Sequence, residues 1–199
     1  MAKVHEWDVH KLHPTQITVG LLEVKDRRRE LDSLKKPDQR DFLAAHPIPA
    51  VLGLDGKLFI TDHHHLARAA WDLGIDQAFF LTEADLSSHD DAEAFWRAMA
   101  AERWVHPYDE HGVLRPYHEI PRHLEGLRDD VYRSLACYVR RAGGFEKTPT
   151  AFAEFVWADF FRRRIPIGSN PADFQTALEK ATQLARSPEA RDLPGFRAP

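Results

Sequence analysis

The stretch that most constrains this chain is Ala50-Val51-Leu52-Gly53-Leu54, Asp55-Gly56, Lys57-Leu58-Phe59-Ile60, which runs directly into Thr61-Asp62-His63-His64-His65. Asp-Gly between two apolar runs predicts a type I′ hairpin, because both turn positions need positive φ and these residues tolerate it. Leu66, Ala69, Ala70 and Leu73 then follow the i, i+3, i+4, i+7 spacing of one helix face, and Gly74 stands where a left-handed C-terminal cap is wanted. The histidines therefore fall in the first turn of a helix fed by the second strand, with Thr61 or Asp62 as the expected N-cap.

Upstream, residues 1 to 13 carry His5, His10 and His13 and read as an edge strand or a docked arm ending at Pro14. Leu21, Val24 and Leu31 predict a charged-faced helix over Ile17 to Leu34, and Pro37 opens a short one over Gln39 to Ala45. Downstream, Gln77 to Thr82 reads as a buried strand returning to the sheet, and Ser87-Ser88-His89-Asp90 as the cap of a helix carrying Phe95 and Met99. Residues 105 to 123 form the longest irregular stretch, and long ordered loops are often functional. The remainder predicts helices only, ending at Gly143-Gly144, opening at Thr148-Pro149, opening again at Asn170-Pro171, with a last turn at Ser187-Pro188. The order predicts an α+β fold, a small mixed sheet with helices over residues 1–86 followed by an all-helical extension over 87–199.

With 199 residues, 43% of them hydrophobic and 29% charged, the chain is expected to be a soluble globular protein. A formal net charge of −4 gives no global attraction to a polyanion, so DNA is not a favoured partner. No run approaches the roughly 18 apolar residues of a membrane span and the start lacks the apolar core of a signal peptide, so the expected location is the cytoplasm. Cys137 is the one cysteine, which leaves any metal chemistry to His, Asp and Glu.

Consecutive helical residues point about 100° apart, so three adjacent histidines cannot all chelate one metal from a regular helix. A metal would have to combine one or two of them, such as His64, with Asp62 and a distant ligand such as His118 or His123. The start of a helix, by contrast, presents N–H groups and the positive end of a dipole, which suits a phosphate. Histidine there can donate to phosphate oxygens or act as acid or base, given its ordinary pKa of ~6.5. Asp62 sits awkwardly in that picture unless it caps the helix, pairs with a histidine or carries a cation. The plain alternative makes the histidines tolerated polar residues and Asp62 only a cap. Arg27 to Arg29 and Arg162 to Arg164 read as solvated helix faces, and Cys137 as an inert buried thiol.

The strand, Asp-Gly turn, strand and Thr61-Asp62-His63-His64-His65-Leu66-Ala67-Arg68-Ala69, together with His13-Pro14-Thr15-Gln16 and Ile48-Pro49-Ala50-Val51-Leu52, resemble the ParB/sulfiredoxin superfamily, and within it the branch labelled ParB-like nucleases. The likeness spans about residues 10 to 85 and extends to Leu127 to Gly144 and Phe152 to Ile165. It implies a mixed α/β fold whose strand-to-helix junction binds nucleotide phosphates; ParB proteins bind and hydrolyse CTP there, sulfiredoxin uses ATP, and a related archaeal enzyme phosphorylates free serine. Two departures weaken the implied grip on a triphosphate: Asp62 stands where a glycine is usual and His65 where an arginine is usual. The sulfiredoxin cysteine is absent from the motif, and no helix-turn-helix of the ParB kind follows residue 85.

The expected site is accordingly a phosphate-handling one, for a nuclease, phosphohydrolase or phosphotransferase. Asp62, His63 and His64 are its catalytic candidates, and Thr61, His64, His65 and Arg68 its phosphate-binding candidates. ATP, CTP or a phosphorylated small molecule is the expected partner. A divalent ion on Asp62, His64 and His118, a non-catalytic nucleotide-binding module, and a homodimer through the C-terminal helices all stay open.

Overall fold

The computed structural model describes residues 4–89, 91–168 and 170–198. Strands β1 (Val4–Asp8), β2 (Leu12–His13) and β3 (Thr18–Val19) are followed by helices α1 (Leu21–Asp32) and α2 (Lys36–Ala45). Next come β4 (Ile48–Leu52), β5 (Leu58–Ile60), α3 (His64–Asp72), β6 (Gln77–Asp85), α4 (Ala92–Ala101) and β7 (Arg128–Asp129). Helices α5 (Val131–Arg141), α6 (Ala153–Arg162) and α7 (Pro171–Ala185) complete the chain. The expected α+β class, strands first and helices last, is what the chain forms.

By compactness the chain falls into two units, Met1–Asp129 and Asp130–Pro199. Phe95 and Met99 of α4 share a core with Val51 and Phe59 of the sheet.

In the first unit five strands form a mixed sheet in the order β1-β6-β4-β5-β2, and β3 pairs with β7 in a separate ribbon. Alternate residues of a strand face opposite sides. Ala50 of β4 stands opposite Ile60 of β5, and both join the core built with Val24, Leu31, Leu66, Ala67 and Ala70 of α1 and α3. Val51 stands opposite Phe59, and both join the other core, with Ile17, Val105 and Ile120. The Asp-Gly turn forms as its residues require: Asp55 and Gly56 have φ of 57° and 67°, and the Lys57 N–H donates to the Leu54 carbonyl at 3.1 Å. Helix α1 begins at Leu21 instead of Ile17, because Thr18 and Val19 are drawn into pairing with Arg128 and Asp129. Helix α4 is capped by Asp91, whose carboxylate accepts the Ala94 N–H at 2.7 Å; Asp90, one of the expected capping residues, lies outside the described residues.

The irregular stretch after α4 is ordered by its own polar contacts. Buried Asp109 accepts the N–H groups of His111 and Val113, both at 2.9 Å, and the Arg115 guanidinium at 2.7 Å. Burial opposes ionisation of Asp109, but those donors outweigh it and hold its carboxyl below the usual carboxylate range.

In the second unit Leu135 and Val139 of α5, Trp157 and Phe161 of α6, and Ala177, Ala181 and Ala185 of α7 form one core. Asn170 and Asp173 make a capping box at the start of α7, as Asn170-Pro171 suggests, whereas α6 starts at Ala153 rather than at Thr148-Pro149. Cys137 is fully buried. Arg162 is not a solvated residue: its guanidinium pairs with buried Asp130 at 2.6 Å and with Asp159.

Candidate functional site

The hairpin delivers Thr61 to Asp62 at the sheet's edge region. β5 is held on one side by antiparallel β4 and on the other by parallel β2, with His13 in register with Phe59. The Thr61 N–H donates to the Pro49 carbonyl at 2.9 Å, extending the β4 pairing one step past the strand. The Thr61 hydroxyl donates to the Glu83 carboxylate at 2.5 Å.

The residue that turns strand into helix is His63, not Thr61 or Asp62. It occupies the N-cap of α3 with φ 60° and ψ 25°, a left-handed conformation that an L-residue with a Cβ adopts at a cost of about 1 kcal/mol. Asp62 turns back on the main chain: its Oδ1 accepts the His63 N–H at 2.7 Å, and Oδ2 has no partner among the described residues. Asp62 and His63 are both exposed. The first rung of the helix runs from the Ala67 N–H to the His63 carbonyl at 2.9 Å, so the N–H groups of His64, His65 and Leu66 precede the ladder.

His64 and His65 are buried, at 4% and 9% exposure. The Thr15 N–H donates to Nε2 of His64 at 3.1 Å, and the Thr15 hydroxyl donates to the Ile60 carbonyl at 2.8 Å. That bond assigns the His64 lone pair to Nε2 and, in the neutral ring, its proton to Nδ1. The Gly20 N–H reaches Nε2 of His65 at 3.2 Å, and a Glu23 carboxylate oxygen lies 3.2 Å from the same nitrogen. One nitrogen cannot accept and donate at once: the neutral ring accepts from Gly20, and a protonated ring would donate to Glu23. Because Gly20 is the N-cap of α1, His65 serves as a surrogate cap for that helix, alongside Asp129, whose Oδ1 accepts the Leu21 N–H at 2.9 Å.

The Arg68 guanidinium is engaged with Asp72 and with the turn at Leu124–Gly126. Its Nε donates to Asp72 at 2.8 Å, and Nη1 reaches the carbonyls of Leu124 at 2.9 Å, Glu125 at 3.1 Å and Leu127 at 3.3 Å. All four expected phosphate ligands, Thr61, His64, His65 and Arg68, thus have side-chain partners within the first unit, while Asp62 and His63 face solvent. Thr15, Gly20, Glu23, Glu83 and Asp129 complete the arrangement. Thr15 lies within the His13-Pro14-Thr15-Gln16 segment that shares in the family resemblance, whereas Glu83 and Asp129 carry no sequence signal linking them to residues 61 to 65.

The donor set does not fit a metal ion. Among the described residues no group of three or more His, Cys, Asp and Glu could hold one, and Nε2 of His64 already takes the Thr15 N–H. His118 sits exposed on the 3-10 turn Tyr117–Glu119.

Farther along β2, half-buried His13 lies with its ring centroid 5.1 Å from Phe59 and 5.8 Å from the His123 ring. Burial lowers the His13 pKa, the charges of His123 and Lys57 lower it further, and the Arg122 carbonyl opposes them.

A family model described as "Putative ParB-like nuclease" matches residues 5–163. Among solved structures, the chain is similar to protein Atu1540 from Agrobacterium tumefaciens, with 37% identity and a TM-score of 0.92 over 100% of this chain and 98% of that one. No curated protein matches the chain. No helix among the described residues is long and apolar enough to cross a membrane.

Proposed function

The chain belongs to the family of ParB-like nucleases, and from that membership we propose that it handles a phosphate-bearing substrate, a nucleotide or a phosphodiester, at the corner formed by Asp62 and His63. The observation that carries this reading is the division of labour within the histidine run. His64 and His65 are buried and accept main-chain N–H groups from two other segments, while His63 is exposed in a left-handed conformation directly ahead of a helix. Backbone strain held at an exposed polar residue, over-determined by buried neighbours, is characteristic of sites that act on a ligand.

In this reading a phosphate group lies in front of the first turn of α3, where the helix dipole and N–H groups favour negative charge. For hydrolysis, His63 takes the proton of the attacking water as its oxygen bonds to phosphorus, and the leaving oxygen is protonated from solvent. Negative charge that grows on the non-bridging oxygens is met by the helix start. Asp62, with Oδ1 committed to the His63 N–H, holds the turn. His64 and His65 brace the turn instead of gripping phosphate, which revises the roles expected from the sequence.

A non-catalytic nucleotide-binding module is the second reading. It is favoured by the engagement of Thr61, His64, His65 and Arg68 within the protein, which leaves few side chains for chemistry. Titrating ATP, CTP and inorganic phosphate at acid and neutral pH, with and without chelator, tests both readings. Anion binding assisted by a protonated imidazole strengthens as pH falls through ~6.5, whereas metal ligation weakens. Turnover that disappears in His63→Ala supports the enzyme; binding with no turnover supports the module.

A further inference from the structure

We propose that Glu83 is a positioning residue for His63, acting through the Thr61 hydroxyl. Its part in turnover rests on the reading above; its hold on the turn that contains His63 does not.

The ladder between β4 and β6 is interrupted at Glu83. Ile48 pairs with Phe80, Pro49 with Leu81 and Ala50 with Thr82, and the pairing then resumes with Val51 opposite Ala84. Glu83 is therefore an extra residue without a partner on β4, a bulge, which is rare between parallel strands. An inserted residue reverses the side of the sheet that the following residues face. Ala78 and Phe80 accordingly lie in the core with α1 and α3, whereas Ala84 and Leu86 pack against the core of Phe95 and Met99. Bulges re-aim side chains and are over-represented beside active sites.

The side chain set free by this bulge is a carboxylate, and it accepts the Thr61 hydroxyl at 2.5 Å. In the sheet β4 lies between β6 and β5, so the bond bridges two strand spacings, about 9.6 Å between backbones. A glutamate has that reach and an aspartate falls short by one methylene. The Glu83 carboxylate makes no other hydrogen bond or ion pair among the described residues, so holding a cationic side chain is not its role.

Thr61 is the last residue that the sheet holds before the turn, its N–H on the Pro49 carbonyl at 2.9 Å. That bond alone leaves a residue free to pivot. The hydroxyl bond fixes a second direction, and the branched threonine side chain transmits it stiffly to the backbone. The left-handed backbone of His63 persists only where its flanks over-determine it. Its following side is set by the Ala67 N–H on the His63 carbonyl and by buried His64 and His65. Its preceding side is set by Asp62 and by Thr61, which Pro49 and Glu83 tie to the sheet.

Amide hydrogen exchange of the full chain, followed by NMR, reads this hold directly. Exchange of the Ala67 N–H should quicken roughly tenfold in Glu83→Ala and in Thr61→Val, the worth of one hydrogen bond to a charged group. The double variant should be no faster than either single one, because the two residues act as one unit. Glu83→Gln, which keeps an acceptor oxygen at the same reach, should restore most of the protection, and Glu83→Asp should not. The Phe80 N–H, in β6 ahead of the bulge, should exchange as in the natural protein and serves as the control for folding. Unchanged Ala67 exchange in Glu83→Ala, or additive effects of the two substitutions, overturns the positioning role. Turnover of CTP, ATP and a short oligonucleotide is measured separately. Glu83→Ala should lower kcat roughly tenfold with KM little changed, since a displaced His63 weakens the transition state and not the ground state. An undiminished kcat in Glu83→Ala overturns the part in turnover. Absence of turnover in the natural sequence contradicts the enzymatic reading above, and the exchange result then decides for or against Glu83 by itself.

Discussion

His63 and His64 are adjacent, one exposed and the other buried. His63 holds an uncommon backbone conformation in the open, so replacing it by glycine removes strain; His63→Gly should raise stability by about 1 kcal/mol while abolishing activity toward a phosphate substrate. Denaturant midpoints and turnover measured on the same samples would check the pair of effects, and a fall in stability would show that the imidazole anchors the turn. His13 gives a pH signature. Its pKa is lowered in the folded state, so between that lowered value and ~6.5 the unfolded chain binds more protons. Its contribution is therefore complete above ~6.5 and declines as pH falls through this window. His13→Phe should flatten that part of the stability profile, measured by urea unfolding at closely spaced pH values.

At the scale of elements, α3 is the junction of the first unit. His64 ties it to the segment after β2, His65 to the start of α1, and Arg68 to the turn at Leu124–Gly126. Arg68→Ala strands three carbonyls and Asp72, and should cost about 2–4 kcal/mol, visible as a lower thermal midpoint. Gly53→Ala is destabilising for a different reason. A Cβ there would meet the Phe59 and Phe95 rings at 2.7 Å, which predicts a loss of about 1–3 kcal/mol by overpacking, again read from the thermal midpoint. The hairpin and α3 were legible because Asp55-Gly56 and the apolar spacing after His65 are local signals. The start of α1 was not: Ile17 to Val19 fit the helical spacing, and only their pairing with the remote Arg128 and Asp129 takes them out of the helix. The N-cap of α3 was equally hidden, since nothing in Thr61-Asp62-His63 announces that the histidine adopts positive φ. Nor could spacing reveal that His64 and His65 accept N–H groups from residues 49 and 45 positions away.

For the molecule as a whole, an α+β order and a family could both be read from the sequence, because they depend on element order and on one contiguous motif. The chemistry within the motif could not, because it depends on which imidazoles are buried, and burial is settled by segments far apart in the chain. Arg162 makes the same point in the second unit, where a residue of a basic run is drawn into a pair with Asp130. In the proposed reading His63 and the first-turn N–H groups of α3, rather than the side chains of His64, His65 and Arg68, meet the phosphate. It is tested most directly by following hydrolysis of CTP, ATP and a short oligonucleotide by the natural sequence, His63→Ala and Arg68→Ala, each confirmed folded by its thermal transition. His63→Ala is expected to abolish turnover while melting close to the natural protein, and Arg68→Ala to lower the melting point but retain turnover below it. Undiminished turnover in His63→Ala, or its loss in a folded Arg68→Ala, would contradict it.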